Sequence, residues 1–152
     1  MPDRQKPVTT HVFLRIEHDT AEPEGVTAVL GITPTHSARR GQLPAGGKGE
    51  PYPWNVWVLS SAYAVVLKDT RAHFQWLLAS VGSRGAEMRK LRQRGYRMEI
   101  HCLWMSQGGY GGPELSADIM RSLADLEVDV YFDVALFEDG TKTSQRSPEV
   151  AR

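Results

Sequence analysis

Cysteine is almost missing from this chain. Cys102 stands alone among 152 residues, which excludes an internal disulfide and any zinc site built on several thiolates. A surplus of either charge is missing too: 18 basic residues balance 18 acidic ones, so no net field draws the chain to nucleic acid or to an anionic membrane. Long hydrophobic runs are also absent. The longest, residues 62–67, is far too short to cross a bilayer. No apolar stretch of signal-peptide type follows the charged start, because residues 11–18 alternate, and a cytoplasmic home is expected.

What is present is ordinary for one soluble domain: 41% hydrophobic and 24% charged residues in a length able to bury one core. Residues 1–10 and 142–152 are polar and aperiodic and read as flexible ends around a single domain over 11–137. Between them, two stretches follow one plan of alternating strand, polar loop, Pro-Glu and short amphipathic helix. The first spans 12–32 with Pro23, Glu24 and Leu30; the second spans 98–126 with Pro113, Glu114 and Leu123.

In the first strand Val12, Leu14 and Ile16 oppose His11, Phe13, Arg15 and Glu17. A helix opens at Pro23 and stops at Gly31, with Val26, Val29 and Leu30 on one stripe. Residues 33–53 then hold Pro34, Pro44, Pro51 and Pro53 with Gly41, Gly46, Gly47 and Gly49, a long loop. Residues 54–61 are apolar on both sides, as in a central or doubly covered strand. Asp69 or Thr70 caps the helix carrying Phe74, Leu77, Leu78 and Val81, and a second helical piece runs over 86–94 after the break at Gly82 and Gly85. Residues 96–104 alternate again, with Met98, Ile100, Cys102 and Trp104 inward. Ser116 and Asp118 start the last helix, where Leu115 can staple onto Met120. The closing strand turns Val128, Val130, Phe132, Val134 and Leu136 inward and Asp129, Tyr131 and Asp133 outward. The expectation is an α+β domain in the order β-α-β-α-β-α-β: a four-stranded, mainly antiparallel sheet with helices on one face.

The chemistry-bearing patterns are sparse. The glycines at 108–112 match neither a P-loop nor G-x-G-x-x-G, and the helix beyond them starts acidic, which repels phosphate. The histidines at 11, 18, 36, 73 and 101 fall in no metal-binding spacing, so no metal or cofactor is expected. No serine occupies a G-x-S-x-G elbow and Cys102 points inward, which leaves no catalytic nucleophile. Glu17, Glu99, Asp129 and Asp133 share the polar side of the sheet with Arg15 and Arg97, and cross-strand charge pairing accounts for them more simply than acid–base work. Arg39 and Arg40 lie near a tryptophan-rich strand holding Trp57, where arginine stacking on indole serves loops and anion pockets alike. Charge segregates locally. Residues 84–97 are basic and 114–139 acidic, but the aromatic interleaving of a nucleic-acid surface is missing.

The segments Leu30-Gly-Ile-Thr-Pro-Thr35, Arg39-Arg40-Gly41, Trp57-Val-Leu-Ser-Ser61 and Gly111-Gly-Pro-Glu-Leu115, with the strand over 128–132, resemble in content and order a bacterial family called domain of unknown function 4279. The Gly- and Pro-rich stretch 43–52 departs from that pattern by its length. The resemblance implies a small bacterial cytoplasmic α+β protein, some of whose relatives look like immunity proteins of toxin systems, and it brings no catalytic residues.

Three functions compete. The leading one is a non-enzymatic protein-binding module, of immunity type. The second is a small-molecule or anion-binding protein, or an enzyme, using Arg15, Arg39, Arg40, Trp57, His101, Tyr131 and Asp133. The third is a homodimer through the outer sheet face, centred on Phe13, Leu103 and Tyr131.

Overall fold

Alternation in the first apolar segment builds the strand against which the rest assembles. A computed structural model of the chain describes residues 8–108 and 111–137. Strand β1 (Thr9–His18) runs through the middle of the sheet and buries Val12, Leu14 and Ile16 completely or nearly so. It starts at Thr9, two residues inside the expected loose end, because Val8 and the first strand residues continue the ladder with β4. The expected looseness of residues 1–7 and 142–152 lies outside the described residues, as do Gly109 and Tyr110 of the glycine loop.

The remaining strands are β2 (His36–Ala38), β3 (Asn55–Ser60), β4 (Arg97–Gln107) and β5 (Asp129–Phe137), in the spatial order β2-β3-β1-β4-β5. The sheet therefore has five strands, not four. The added strand, β2, is three residues from the segment read as loop, recruited by antiparallel pairing of His36, Ser37 and Ala38 with β3. Thr35 extends that pairing, its N–H and its hydroxyl both donating to the Val58 carbonyl. The sheet is mixed. Three pairings are antiparallel, but β4 and β5 run parallel, which the crossover through a helix between them permits.

Four helices supply the covering layer: α1 (Pro23–Leu30), α2 (Thr70–Val81), α3 (Gly85–Gln93) and α4 (Ala117–Asp125). Pro23 opens α1 and Gly31, in the left-handed region at φ 67°, closes it. Asp69 caps α2 by accepting from the Arg71 N–H, and Ser116 caps α4 by accepting from the Ile119 N–H. Leu115 packs on the core while Met120 stays half-exposed. The core joins Val26 and Leu30 of α1, Phe74, Leu77 and Val81 of α2, Met88 and Leu91 of α3, and Ile119 and Leu123 of α4 to one side of the sheet, where Trp57, Leu59, Ile100 and Cys102 meet them. Burial pushes the Cys102 thiol up to about 12, so it behaves as a small hydrophobe.

The long loop is held at its neck. The Gly41 N–H donates to the Tyr52 carbonyl, the Tyr52 N–H donates to the Gln42 carbonyl, and the Tyr52 hydroxyl meets His36 Nε2 at 3.1 Å.

One strand departs from its pattern. The helix-side row of β5 is partly buried at Val130, but Phe132, Val134 and Leu136 are 43%, 47% and 45% exposed. These side chains have the inward orientation that alternation requires. Among the described residues, the helical layer shelters only the first part of the strand: Phe74 of α2 reaches Phe132, with ring centroids 6.5 Å apart.

Candidate functional site

The side of the sheet opposite the helices carries the open polar surface. Register fixes its rows. Ser60, Phe13, His101 and Tyr131 lie side by side across β3, β1, β4 and β5, and Val58, Arg15, Glu99 and Asp129 form the next row. Alternation puts all of these side chains on one face, because odd residues of β1 and β4 point away from the core.

The first row is an aromatic stack. His101 lies between Phe13 and Tyr131, with ring centroids 5.0 and 5.2 Å apart and planes within 6° and 19° of parallel. His101 Nε2 donates to Glu99 Oε2 at 2.9 Å, and Nδ1 lies 3.6 Å from Asp133 Oδ2. Arg15 closes the chain of charges by donating to the same Glu99 oxygen at 2.7 Å. Its Nε lies 3.0 Å from Glu17 Oε1 but is not aimed to hydrogen-bond it, so that contact is purely ionic. Burial alone would raise the Glu99 carboxyl. The hydrogen bonds from His101 and Arg15, with their charges, outweigh it and hold the group below its ordinary value. His11, at the end of the same face, is pushed down by its partial burial and then by the nearby His73.

Arg15, His101, Tyr131 and Asp133 are thus brought together. The other three expected residues lie elsewhere. Trp57 has no exposed surface and faces the helices, where its indole N–H donates to the Thr27 hydroxyl at 3.0 Å. Arg39 extends toward the start of α1, its exposed side chain pairing with Glu22 and, at 2.9 Å, with Glu24. The Arg40 backbone N–H donates to Asn55 Oδ1, while its side chain is exposed. The arginine that does lie over an indole is Arg97, 4.9 Å from the Trp54 ring, not Arg39 or Arg40.

Two polar clusters escaped the sequence reading. Asn55, buried at the start of β3, accepts from Arg40 and donates to the Thr20 and Ala21 carbonyls, tying three chain segments together. Ser61 Oγ and His73 Nδ1 lie 2.7 Å apart in the interior, a spacing used by nucleophile–base pairs. Here every position is taken. His73 Nε2 must donate to the Leu67 carbonyl at 2.7 Å, so Nδ1 accepts from the serine hydroxyl, which itself accepts from the Val12 N–H at 2.9 Å. With exposures of 1% and 0%, the pair pins residues 62–69 to β1 and α2 and presents no nucleophile. One sign was legible: His73 precedes Leu77 by four residues on the buried stripe of α2.

The imidazole of His101 has carboxylate neighbours, but Cys102 turns to the opposite side of the sheet and Ser61 is sealed in the interior. Among the described residues, no three His, Cys, Asp or Glu side chains gather as a metal cluster, and no helix is long and apolar enough to cross a membrane.

A sequence model for the domain of unknown function DUF4279 matches residues 8–136, which is most of the chain. The chain belongs to the DUF4279 family. The matched span begins just before β1 and ends one residue before β5 does, so the family unit is the whole five-stranded domain. No curated protein and no solved structure matches the chain.

Proposed function

We propose that this DUF4279 chain is a non-enzymatic protein-binding module, of immunity type and cytoplasmic, that docks its partner on the helix-free face of the sheet. The observation that carries this reading is the stacked row Phe13–His101–Tyr131 set in a frame of charge. Protein interfaces favour that composition: aromatic side chains at the centre, held rigid at little entropic cost, and a polar rim around them. Val58 and Leu103, half-buried beside the row, widen the apolar centre.

The frame also indicates the partner's chemistry. Arg15 and Arg97 face Glu17, Glu99, Asp129 and Asp133 in these rows, two positive charges against four negative. Arg97 is further engaged by Asp19 at 3.0 Å. A partner that places basic side chains around an apolar centre complements this surface and would be steered toward it at low salt.

The test is copurification of the chain with the products of its neighbouring genes from native lysate, comparing the natural sequence with Phe13→Asp. The natural chain should retain a partner, and Phe13→Asp should lose it while melting at nearly the same temperature. A partner held equally by both forms, or a chain that stays alone beside those products, contradicts the proposal.

A further inference from the structure

The two edges of the sheet are finished differently. At one side β2 is three residues long. At the other, β5 offers nine residues with no proline and no lysine, carrying exposed Phe132, Val134 and Leu136 on one face and exposed Tyr131 and Phe137 on the other. A long apolar edge of this kind invites another strand unless something guards it.

Its hydrogen-bonding parity can be read directly. The Gly108 N–H donates to the Phe137 carbonyl, and the parallel register with β4 runs without a break from Asp129 to Phe137. The odd residues of β5 therefore turn their backbone groups toward β4. Val130, Phe132, Val134 and Leu136 turn theirs outward, where among the described residues no strand takes them.

We propose that this edge seats a second copy of the same chain, with the two β5 strands antiparallel about a two-fold axis at Val134. In that register Val134 faces its own copy as a hydrogen-bonded pair and Phe132 faces Leu136 on either side, so every free N–H and C=O from 132 to 136 finds a partner. The side chains match as well. Phe132, Val134 and Leu136 form one continuous apolar stripe, Tyr131 lies opposite Phe137, and Asp133 lies opposite Ala135. Shifting the axis by one residue to Asp133 also satisfies backbone bonds, but it sets Asp133 directly against Asp133 and leaves Asp129 opposite Phe137. Charge therefore favours the Val134 register over the Asp133 one. The result is one ten-stranded sheet in which two copies of the row Phe13–His101–Tyr131 lie on a common face.

Light scattering on the pure full chain reads the outcome. The natural chain should show twice the monomer mass of 17.0 kDa. Val134→Lys, which sets two ammonium groups on the axis, and Val134→Pro, which removes the central outward N–H while sparing the ladder to β4, should each restore the monomer with an unchanged far-ultraviolet spectrum. Under mild oxidation Val134→Cys should cross-link to its copy, because the Cα spacing of about 5.5 Å in such a pair suits a disulfide, whereas Asp133→Cys should not. A natural chain of monomer mass overturns the proposal. So does a dimer that survives both Val134 variants, or one that Phe13→Asp dissolves, since that places the contact on the sheet face. Cross-linking by Asp133→Cys in place of Val134→Cys overturns the register. The docking reading fails separately: Val134→Lys should keep the partner that Phe13→Asp loses.

Discussion

Leu14 and Phe13 are neighbours on one strand, yet they live in different solvents. Leu14 has no exposed surface and packs in the core beneath the helices, while Phe13 lies half-buried on the far side, stacked against an imidazole. The same division runs through β4, where Ile100 and Cys102 are sealed while Glu99 pairs with Arg15 and hydrogen-bonds His101 in reach of water. Chemistry follows the division. Polar groups on the sealed side, Ser61 with His73 and Trp57 with Thr27, spend all their hydrogen bonds on structure. Those on the open side pair with one another in reach of water.

The largest expected effect sharpens this contrast. Trp57→Ala or Phe74→Ala should cost about 3–5 kcal/mol in urea unfolding, because each opens a cavity in a wholly buried layer, whereas Phe13→Ala should cost about 1 kcal/mol or less. Equal losses on both faces would break the comparison. Next in size is Thr27→Val, which keeps the shape of the side chain but leaves the buried Trp57 N–H without an acceptor. A loss of about 1–3 kcal/mol is expected by the same measurement.

Much of this division was legible in the sequence. Strict alternation in residues 11–18 and 97–104 marked both faces, and the caps at Asp69 and Ser116 lay where side-chain oxygens met the first apolar stripe. Strand β2 was not legible, because three residues show no period and are ordered only by their pairing with β3. Nor was the parallel pairing of β4 with β5, which depends on how the chain crosses over through α4. Alternation gave Phe132, Val134 and Leu136 the correct side but not their exposure, since whether a helix reaches that far is a property of the assembled layer. On the candidate site, the outer-face group Arg15, His101, Tyr131 and Asp133 followed from parity. Trp57, expected in a binding group, faces the helices instead, and its strand, apolar on both sides, carries no sign of which way it turns. Arg39 found nearer partners in Glu22 and Glu24 than any indole.

Two smaller effects probe the open face by pH. The folded Glu99 carboxyl is held below its ordinary value, so its contribution to stability is complete above about pH 4.3 and is lost as the pH falls through the lowered folded value. Glu99→Gln should therefore be less stable than the natural chain at neutral pH, with the gap narrowing toward strong acid in denaturant titrations across pH. His11 behaves differently. Its imidazole resists protonation in the fold, so above about pH 6.5 it has no effect, and stability declines below that as the unfolded chain takes up the proton first. His11→Gln should flatten that decline while matching the natural chain at pH 8, the smallest difference predicted here.

The division itself is most directly tested by hydroxyl-radical footprinting of the chain alone, read residue by residue. Phe13 and Leu103 should oxidise readily, while Phe74, Trp57 and Trp104 stay protected until the protein unfolds. If Phe13 and Leu103 are as protected as Phe74 in the isolated chain, the outer side of the sheet is covered and no docking face exists there.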